Sequence, residues 1–175
     1  MGNESGKSTV ILLIMTILII IGAVTIINYA KEMMMETNVQ DLRTDMLLIQ
    51  AEAKKGLEQV CFETVNLDAS KEDDLTKINE AKQQNLDGTI LSNSPEKVQN
   101  SVKDIPDVVF DESCYYLDEA TLTEMGIKNI DEEENGYIIV KYNFSNADVE
   151  VINTKGYNGK YTLTQIISTN TEGQS

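Results

Sequence analysis

The sequence predicts an α+β fold in which a long N-terminal helix packs on a small C-terminal antiparallel sheet. Three observations predict this fold. An uncharged apolar segment near the start of the chain continues directly into an amphipathic stretch, and the last third alternates short strand-like runs with turn residues. Because one side of the amphipathic stretch and one face of the sheet must each be covered, we expect them to cover each other.

The first half of the long helix is expected at residues 8–30, which carry no charged side chain. Their apolar core runs from Val10 to Ile27, and a helix of that length can span a bilayer. A secretory signal that is removed typically has a shorter apolar region and a small-residue cleavage site, whereas this run is longer and ends at Asn28-Tyr29-Ala30. A retained membrane segment is therefore the prediction, and cleavage near Ala30 is the weaker alternative.

The second half of the long helix is expected at residues 31–62, where apolar residues recur every three or four positions. No proline lies between Thr25 and Phe62, and Gly56 is the only glycine there, so both halves are predicted to form one helix of about 50 residues. A two-helix coiled coil is the minor alternative, because the heptad-like spacing is short. The predicted packing face consists of Val39, Leu42, Met46, Ile49, Ala53, Leu57 and Val60.

Residues 63–175 are long enough for one globular domain, and helix-start signals occupy its first part. Ser70 precedes Leu75 as a capping residue, which predicts a helix over about 71–84. The run Ser94-Pro95-Glu96 predicts a second helix over about 95–103. Asp118 predicts the start of a third, short helix that ends before Gly126.

The last third of the chain is predicted to form an antiparallel meander. Asn158-Gly159, a dipeptide favoured in tight hairpins, separates two of its strand-like runs. Either Val108–Phe110 or Cys114–Leu117 is a possible fourth strand, so a sheet of three to four strands is expected. The three predicted strands are Tyr137–Phe144, Val149–Asn153 and Tyr161–Ile167.

Charge and composition argue against two classes of function. The chain has a formal net charge of −15, and phosphate binding needs clustered Lys and Arg, so no nucleic-acid contact is expected. It has no histidine, no nucleophile motif and no pair of carboxylates spaced as acid and base, so no enzyme activity is expected.

Two motifs resemble ligand sites without completing them. Gly2 to Thr9 resembles a phosphate-binding loop, but it has three residues between its glycines where the motif requires four. The acidic run at 131–136 begins like a calcium loop, but its twelfth position is Tyr142, where a bidentate glutamate belongs. A solvated acidic turn is the prediction at 131–136, with a calcium loop of another type as the alternative. No cofactor and no metal are expected.

The organisation of the chain resembles that of type IV pilins and pseudopilins. The resemblance rests on the short polar leader 1–7 with its glycine, Gly6, followed by the apolar helix, the amphipathic continuation and the C-terminal sheet. Two positions depart from the family pattern: Lys7 stands where a hydrophobic residue is usual, and Ile11 stands at the position of the family's glutamate. Thr9, Thr16 and Gly22 are similar to a variant common in Gram-positive pilin-like sequences.

This resemblance implies a structural subunit of a type IV pilus-like or pseudopilus filament. A prepilin peptidase would cut after Gly6, so that the mature chain would begin at Lys7 with a methylated N-terminus, or at Ser8 if the cleavage register slips by one residue. The subunit would be stored in the cell membrane as a single-pass protein and then assembled by the pilus machinery. Its partners would be membrane lipid and copies of itself or related subunits. A single-pass anchored domain that binds a partner and never polymerises is the alternative.

The resemblance also implies that the leader lies inside the cell and the C-terminal domain outside it, at the cell surface once assembled. Cys61 and Cys114 are then the two cysteines of an extracytoplasmic domain, where an even count favours a disulfide. A disulfide between them is the prediction, and two buried free thiols are the alternative.

Overall fold

The computed structural model describes residues 38–106, 108–127 and 132–168. The chain divides into two compact units, Met1–Asp41 and Leu42–Ser175. The described residues of the first unit, 38–41, are helical. The second unit contains a sheet and helices, so the protein has the predicted α+β class.

The first described helix, α1, covers residues 38–64. Five of the residues predicted to form its packing face are buried, whereas Val39 and Leu42 are half-buried. The helix ends at Thr64, whose hydroxyl donates a hydrogen bond to the Val60 carbonyl at 2.8 Å, and a turn follows. The predicted residues 31–37 of this helix lie outside the described part. The five buried positions are Met46, Ile49, Ala53, Leu57 and Val60.

Within the described residues, five shorter helices follow α1. Asp118 is the N-cap of α4, and its carboxylate accepts a hydrogen bond from the Thr121 amide at 2.8 Å. That bond is the largest cause of a lowered pKa at Asp118. The bounds are α2 at Glu72–Asn85, α3 at Glu96–Ser101, α4 at Glu119–Glu124, α5 at Glu132–Asn135 and α6 at Leu163–Ser168. A 3₁₀ turn at Leu91–Asn93 precedes α3.

In the part of the chain that the structure describes, five strands form one antiparallel meander in the order β1-β2-β3-β4-β5. In the central pair, Ile139 faces Ile152 and Tyr142 faces Val149. The strand bounds are β1 at Thr89–Ile90, β2 at Cys114–Leu117, β3 at Ile138–Asn143, β4 at Asp148–Tyr157 and β5 at Lys160–Thr162.

The two faces of the sheet are covered by different elements. Side chains alternate along a strand, so Cys114, Tyr116, Ile139 and Ile152 share one face, which we call the first face. They form a buried cluster with Val98 of α3 and with other residues between β1 and β2.

The second face bears the buried residues Tyr115, Val140, Tyr142 and Val151. No residue of α1 belongs to the first-face cluster, and Gln50 of α1 donates a hydrogen bond to the Val149 carbonyl of β4 at 2.7 Å. The buried stripe of α1 therefore covers the second face.

The end of the meander differs from the sequence prediction. Tyr161–Ile167 was expected to be a strand, but β5 ends at Thr162 and α6 begins at Leu163. The reason is a capping box: the Gln165 amide donates to the Thr162 hydroxyl at 3.2 Å, and the Gln165 side-chain oxygen accepts from the Thr162 amide at 3.3 Å. This reciprocal pair starts a helix where the alternation of apolar residues had favoured a strand.

The sheet is also wider than expected. β1 supplies a fifth strand, and Cys114–Leu117 rather than Val108–Phe110 is the strand beside β3. The hairpin at Asn158-Gly159 forms as predicted: Tyr157 pairs with Lys160, and the two residues between them have φ of 50° and 74°. Positive φ at both central positions is typical of a tight turn of the kind that this dipeptide favours.

Candidate functional site

Two polar side chains on the buried side of α1 attach the helix to the rest of the domain. Gln50 donates to the Val149 carbonyl, and the Arg43 guanidinium donates to the carbonyl of Ile166 in α6 at 2.7 Å. The acceptor of each bond is a backbone carbonyl. Each bond therefore satisfies a carbonyl of β4 or α6 that would otherwise need a water molecule as its hydrogen-bond partner. The helix is therefore held by directional bonds as well as by its apolar stripe.

The residues predicted for leader processing, Gly6, Lys7 and Ser8, lie outside the described residues, as does the predicted membrane segment 8–30. Within the ranges that the structure describes, no helix is long and apolar enough to cross a membrane.

The disulfide predicted between Cys61 and Cys114 is not present, because both cysteines are free thiols. Cys114 is buried on the first face, whereas Cys61 is half-buried on α1, the helix that covers the second face. The Cys61 thiol instead lies 4.0 Å from the Phe144 carbonyl. The even cysteine count indicated a pair, but alternation along β2 directs Cys114 to the wrong side of the sheet.

The acidic run predicted to be a turn contains the short helix α5. The Tyr116 hydroxyl donates a hydrogen bond of 2.5 Å to the Glu132 carboxylate, and the Asn153 side chain donates to the Asn135 carbonyl at 3.0 Å. Burial, followed by the hydrogen bond to Glu132, raises the pKa of Tyr116. Among the described residues no group of three or more acidic, histidine or cysteine side chains could hold a metal ion.

A short connection, residues 86–88, crosses α1 at Gly56. A Cβ atom placed on Gly56 would lie 2.2 Å from the Asn85 carbonyl oxygen, so only glycine allows this approach. Asp87, in the same connection, has a raised pKa because of burial first and the charges of Glu52 and Glu124 second. Burial is the largest cause of a raised pKa at the nearby Tyr142, and an interaction of its hydroxyl with the Asp87 backbone acts in the opposite direction.

An open polar cleft of about 370 Å³ lies where the first face is not covered by α3. The Glu150 carboxylate accepts two hydrogen bonds from Thr164, from its amide at 3.1 Å and from its hydroxyl at 2.7 Å. Lys141 stands directly opposite Glu150 on β3. The lining residues are Lys141, Asn143, Asp148, Val149, Glu150, Ile152, Thr162, Thr164 and Gln165.

The side chains that line the cleft can both donate and accept hydrogen bonds. Sequence reasoning missed it because the lining depends on the position of α6, which was predicted as strand. The Thr162-to-Gln165 spacing of a capping box was the available signal.

Comparison of the chain with protein-family models, with curated proteins and with solved structures finds no match.

Proposed function

We propose that this chain is a structural subunit of a type IV pilus-like or pseudopilus filament, with no enzymatic role. The observation that carries the proposal is the order of its parts: an uncharged apolar segment at 8–30, then a helix with one buried side, then an antiparallel sheet. In such a subunit the apolar segment anchors the chain in lipid before assembly and packs among like segments afterwards.

The packing of α1 supports a division of labour within the subunit. The buried apolar residues of α1, from Met46 to Val60, cover the second face of the sheet. They are therefore not available for contacts with neighbouring subunits. Assembly would therefore depend on residues 8–30, while the described residues from Leu42 onward belong to a folded body carried at the cell surface. The strongly acidic composition, with a net charge of −15, suits a body that must remain soluble.

The proposed route has three steps. The chain is held in the cell membrane with its C-terminal domain outside, a prepilin peptidase removes the leader after Gly6, and the assembly machinery moves the apolar segment from lipid into a bundle of like helices. Ile11, at the position of the family's glutamate, cannot neutralise the N-terminal amine of a neighbour. Packing of apolar side chains would then have to supply the contact that the carboxylate supplies in other subunits.

Mass analysis of the N-terminus tests this proposal. The protein is isolated from its native membrane and, separately, from a sheared surface fraction. A mature chain that begins at Lys7 or Ser8, with an added methyl group, is expected in both fractions. A Gly6→Leu variant is the matched control, because it should keep its leader and be absent from the sheared fraction. An intact Met1 in the unaltered protein would instead favour a single-pass anchored domain, and a start near Lys31 would indicate a secreted one.

A further inference from the structure

The connection from β3 to β4 contains an Asn-X-Ser sequence in which X is not proline, Asn143-Phe144-Ser145. This pattern is the acceptor sequence for N-linked glycans, which are carried on surface loops of secreted proteins. The chain has one other sequence of this kind, Asn3-Glu4-Ser5, which falls in the leader that a prepilin peptidase would remove. Asn143 is therefore the acceptor position in the folded domain.

The structure places this acceptor sequence at an exposed hairpin end. The sequence predicted a strand as far as Phe144, whereas β3 ends at Asn143 and residues 144–147 form the turn to β4. Asn143 and Ser145 are both exposed to solvent. Asn143 also lines the open polar cleft, so there is free space beside its side chain. The position is accessible to a modifying enzyme after the domain has folded.

The Asn143 side chain forms a local turn with Ser145. Its Oδ1 accepts a hydrogen bond from the Ser145 backbone amide at 3.0 Å, which is the bond of an Asx-turn. This turn brings together the carboxamide and the hydroxyl-bearing residue, the two groups that define the acceptor sequence. A donor on Oδ1 also withdraws electron density from the carboxamide, so a proton on Nδ2 becomes easier to remove.

We propose that Asn143 is the acceptor of an N-linked glycan. The donor is an oligosaccharide joined through phosphate to a membrane lipid, and a membrane transferase presents it. Nδ2 forms a bond to C1 of the first sugar, and the bond between C1 and the phosphate oxygen breaks. The lipid phosphate leaves with the electron pair of that bond, and the Nδ2 proton passes to a base of the transferase. No oxidant or reductant is needed.

The inference rests on one part of the proposed function, the location of the C-terminal domain outside the membrane. It does not require that the subunit polymerises. The glycan would add a bulky and strongly hydrated group to the surface of the domain at the end of this hairpin.

Mass spectrometry of the full chain from its native membrane tests the inference. Trypsin cuts after Lys141 and Lys155 and releases a peptide that contains both Asn143 and Asn146. Fragmentation that leaves glycans attached then assigns any added mass to one residue. We expect the mass of one or more sugars on Asn143 and none on Asn146. Asn146 is the internal control, because it is exposed in the same turn but is followed by Ala-Asp.

Three variants made in the native host separate the acceptor sequence from general exposure. Asn143→Gln and Ser145→Ala are each expected to lose the sugar mass completely. Ser145→Ala keeps the Asx-turn, because the donor in that bond is the backbone amide, so its loss of sugar would be due to the hydroxyl alone. Ser145→Thr restores a hydroxyl and should keep the sugar mass. Thermal unfolding of each variant shows that a loss of sugar is not a loss of folding.

Two results would overturn the inference: an unmodified Asn143 in the unaltered protein, or a sugar mass that persists in Ser145→Ala. The N-terminus of the same sample distinguishes this inference from the filament proposal. A chain that begins at Lys7 and has no sugar on Asn143 would overturn the glycan alone. A chain that keeps Met1 and carries the sugar would support the glycan and overturn the filament proposal.

Discussion

Asp87 is a carboxylate in an unfavourable place, half-buried beside α1 with Glu52 and Glu124 nearby. Burial and the two like charges raise its pKa, and the charge of Lys55 opposes them. The unfolded chain then loses this proton at a lower pH than the folded chain does. Asp87 therefore reduces stability progressively as the pH rises from its unfolded pKa of 3.8 through its folded pKa.

Replacement of Asp87 by Asn should stabilise the protein at neutral pH by about 0.5 kcal/mol, a small value because solvent screens this partly exposed group. The gain should vanish below pH 3.8, where both forms of the protein carry a neutral side chain. Urea unfolding of both proteins from pH 3 to pH 8 measures the difference. Asp104→Asn, at an exposed site, is the control. A loss of stability that is the same at every pH would show that the Asp87 oxygens act as hydrogen-bond acceptors instead.

The two thiols differ in access to solvent, because Cys114 is buried and Cys61 is half-buried. A maleimide reagent should therefore label Cys61 in the folded protein and should reach Cys114 only after denaturation. Mass spectrometry counts the labels, and a Cys61→Ser variant should take none when folded. The prediction would be contradicted if neither thiol of the protein from its native source reacted, even after denaturation. That result would support a disulfide between the two cysteines.

At the scale of elements, the crossing of α1 by the connection after α2 depends on Gly56. In an exposed helix, changing Gly to Ala gains about 1 kcal/mol. At Gly56 the new Cβ would meet the Asn85 carbonyl oxygen at 2.2 Å, and backbone cannot move as easily as a side chain. The contact should outweigh the gain in helix propensity.

We expect Gly56→Ala to reduce the free energy of unfolding by about 2 kcal/mol, within the usual range for overpacking. Chemical denaturation measures it. Ala51→Gly, at an exposed position of the same helix, measures helix propensity alone and should cost about 1 kcal/mol. A stabilised Gly56→Ala protein would show that the connection can move away from α1.

Sequence patterns predicted some elements well and others poorly, for a common reason. All three predicted helices form, and Asp118 caps α4 as predicted. Ser70 and Ser94 do not cap the other two, because Lys71 and Pro95 are the N-cap residues of α2 and α3 and neither makes a side-chain cap bond. The region after Thr162 was predicted wrongly, because two signals overlap there: alternating apolar residues, which favour a strand, and a capping box, which favours a helix. The hydrogen bonds between Thr162 and Gln165 show that the capping box forms. β1, at Thr89–Ile90, is too short to have a pattern of its own, and pairing with β2 makes it a strand.

At the scale of the molecule, the second unit should unfold as one body, because α1 covers the second face of the sheet. Leu57, fully buried in that contact, has an exposed neighbour in Glu58. Leu57→Ala should destabilise the protein by about 3 kcal/mol, as large-to-small changes in a core do. Glu58→Ala should change stability by no more than about 0.5 kcal/mol.

Urea unfolding, followed both by helical circular dichroism and by tyrosine fluorescence of the sheet, measures these effects. For Leu57→Ala the two signals should shift together to lower urea. If only the helical signal shifted, α1 would be melting away from an intact sheet, and the proposed coverage of the second face would be wrong.

The sequence by itself determined the features whose physical cause is local. The α+β class, the buried stripe of α1 and the hairpin at Asn158-Gly159 follow from periodicity and turn chemistry within a few residues. The polar cleft had no such local cause, because it depends on where α6 lies against β4.

The cysteines illustrate the same limit. Their number indicated a disulfide, but the tertiary structure decided which side of the sheet each thiol occupies. Contacts between residues far apart in the chain depend on how whole elements pack, and packing is a property of the complete core rather than of any segment. For that reason the tertiary structure alone decided the positions of the two free thiols and of the polar cleft.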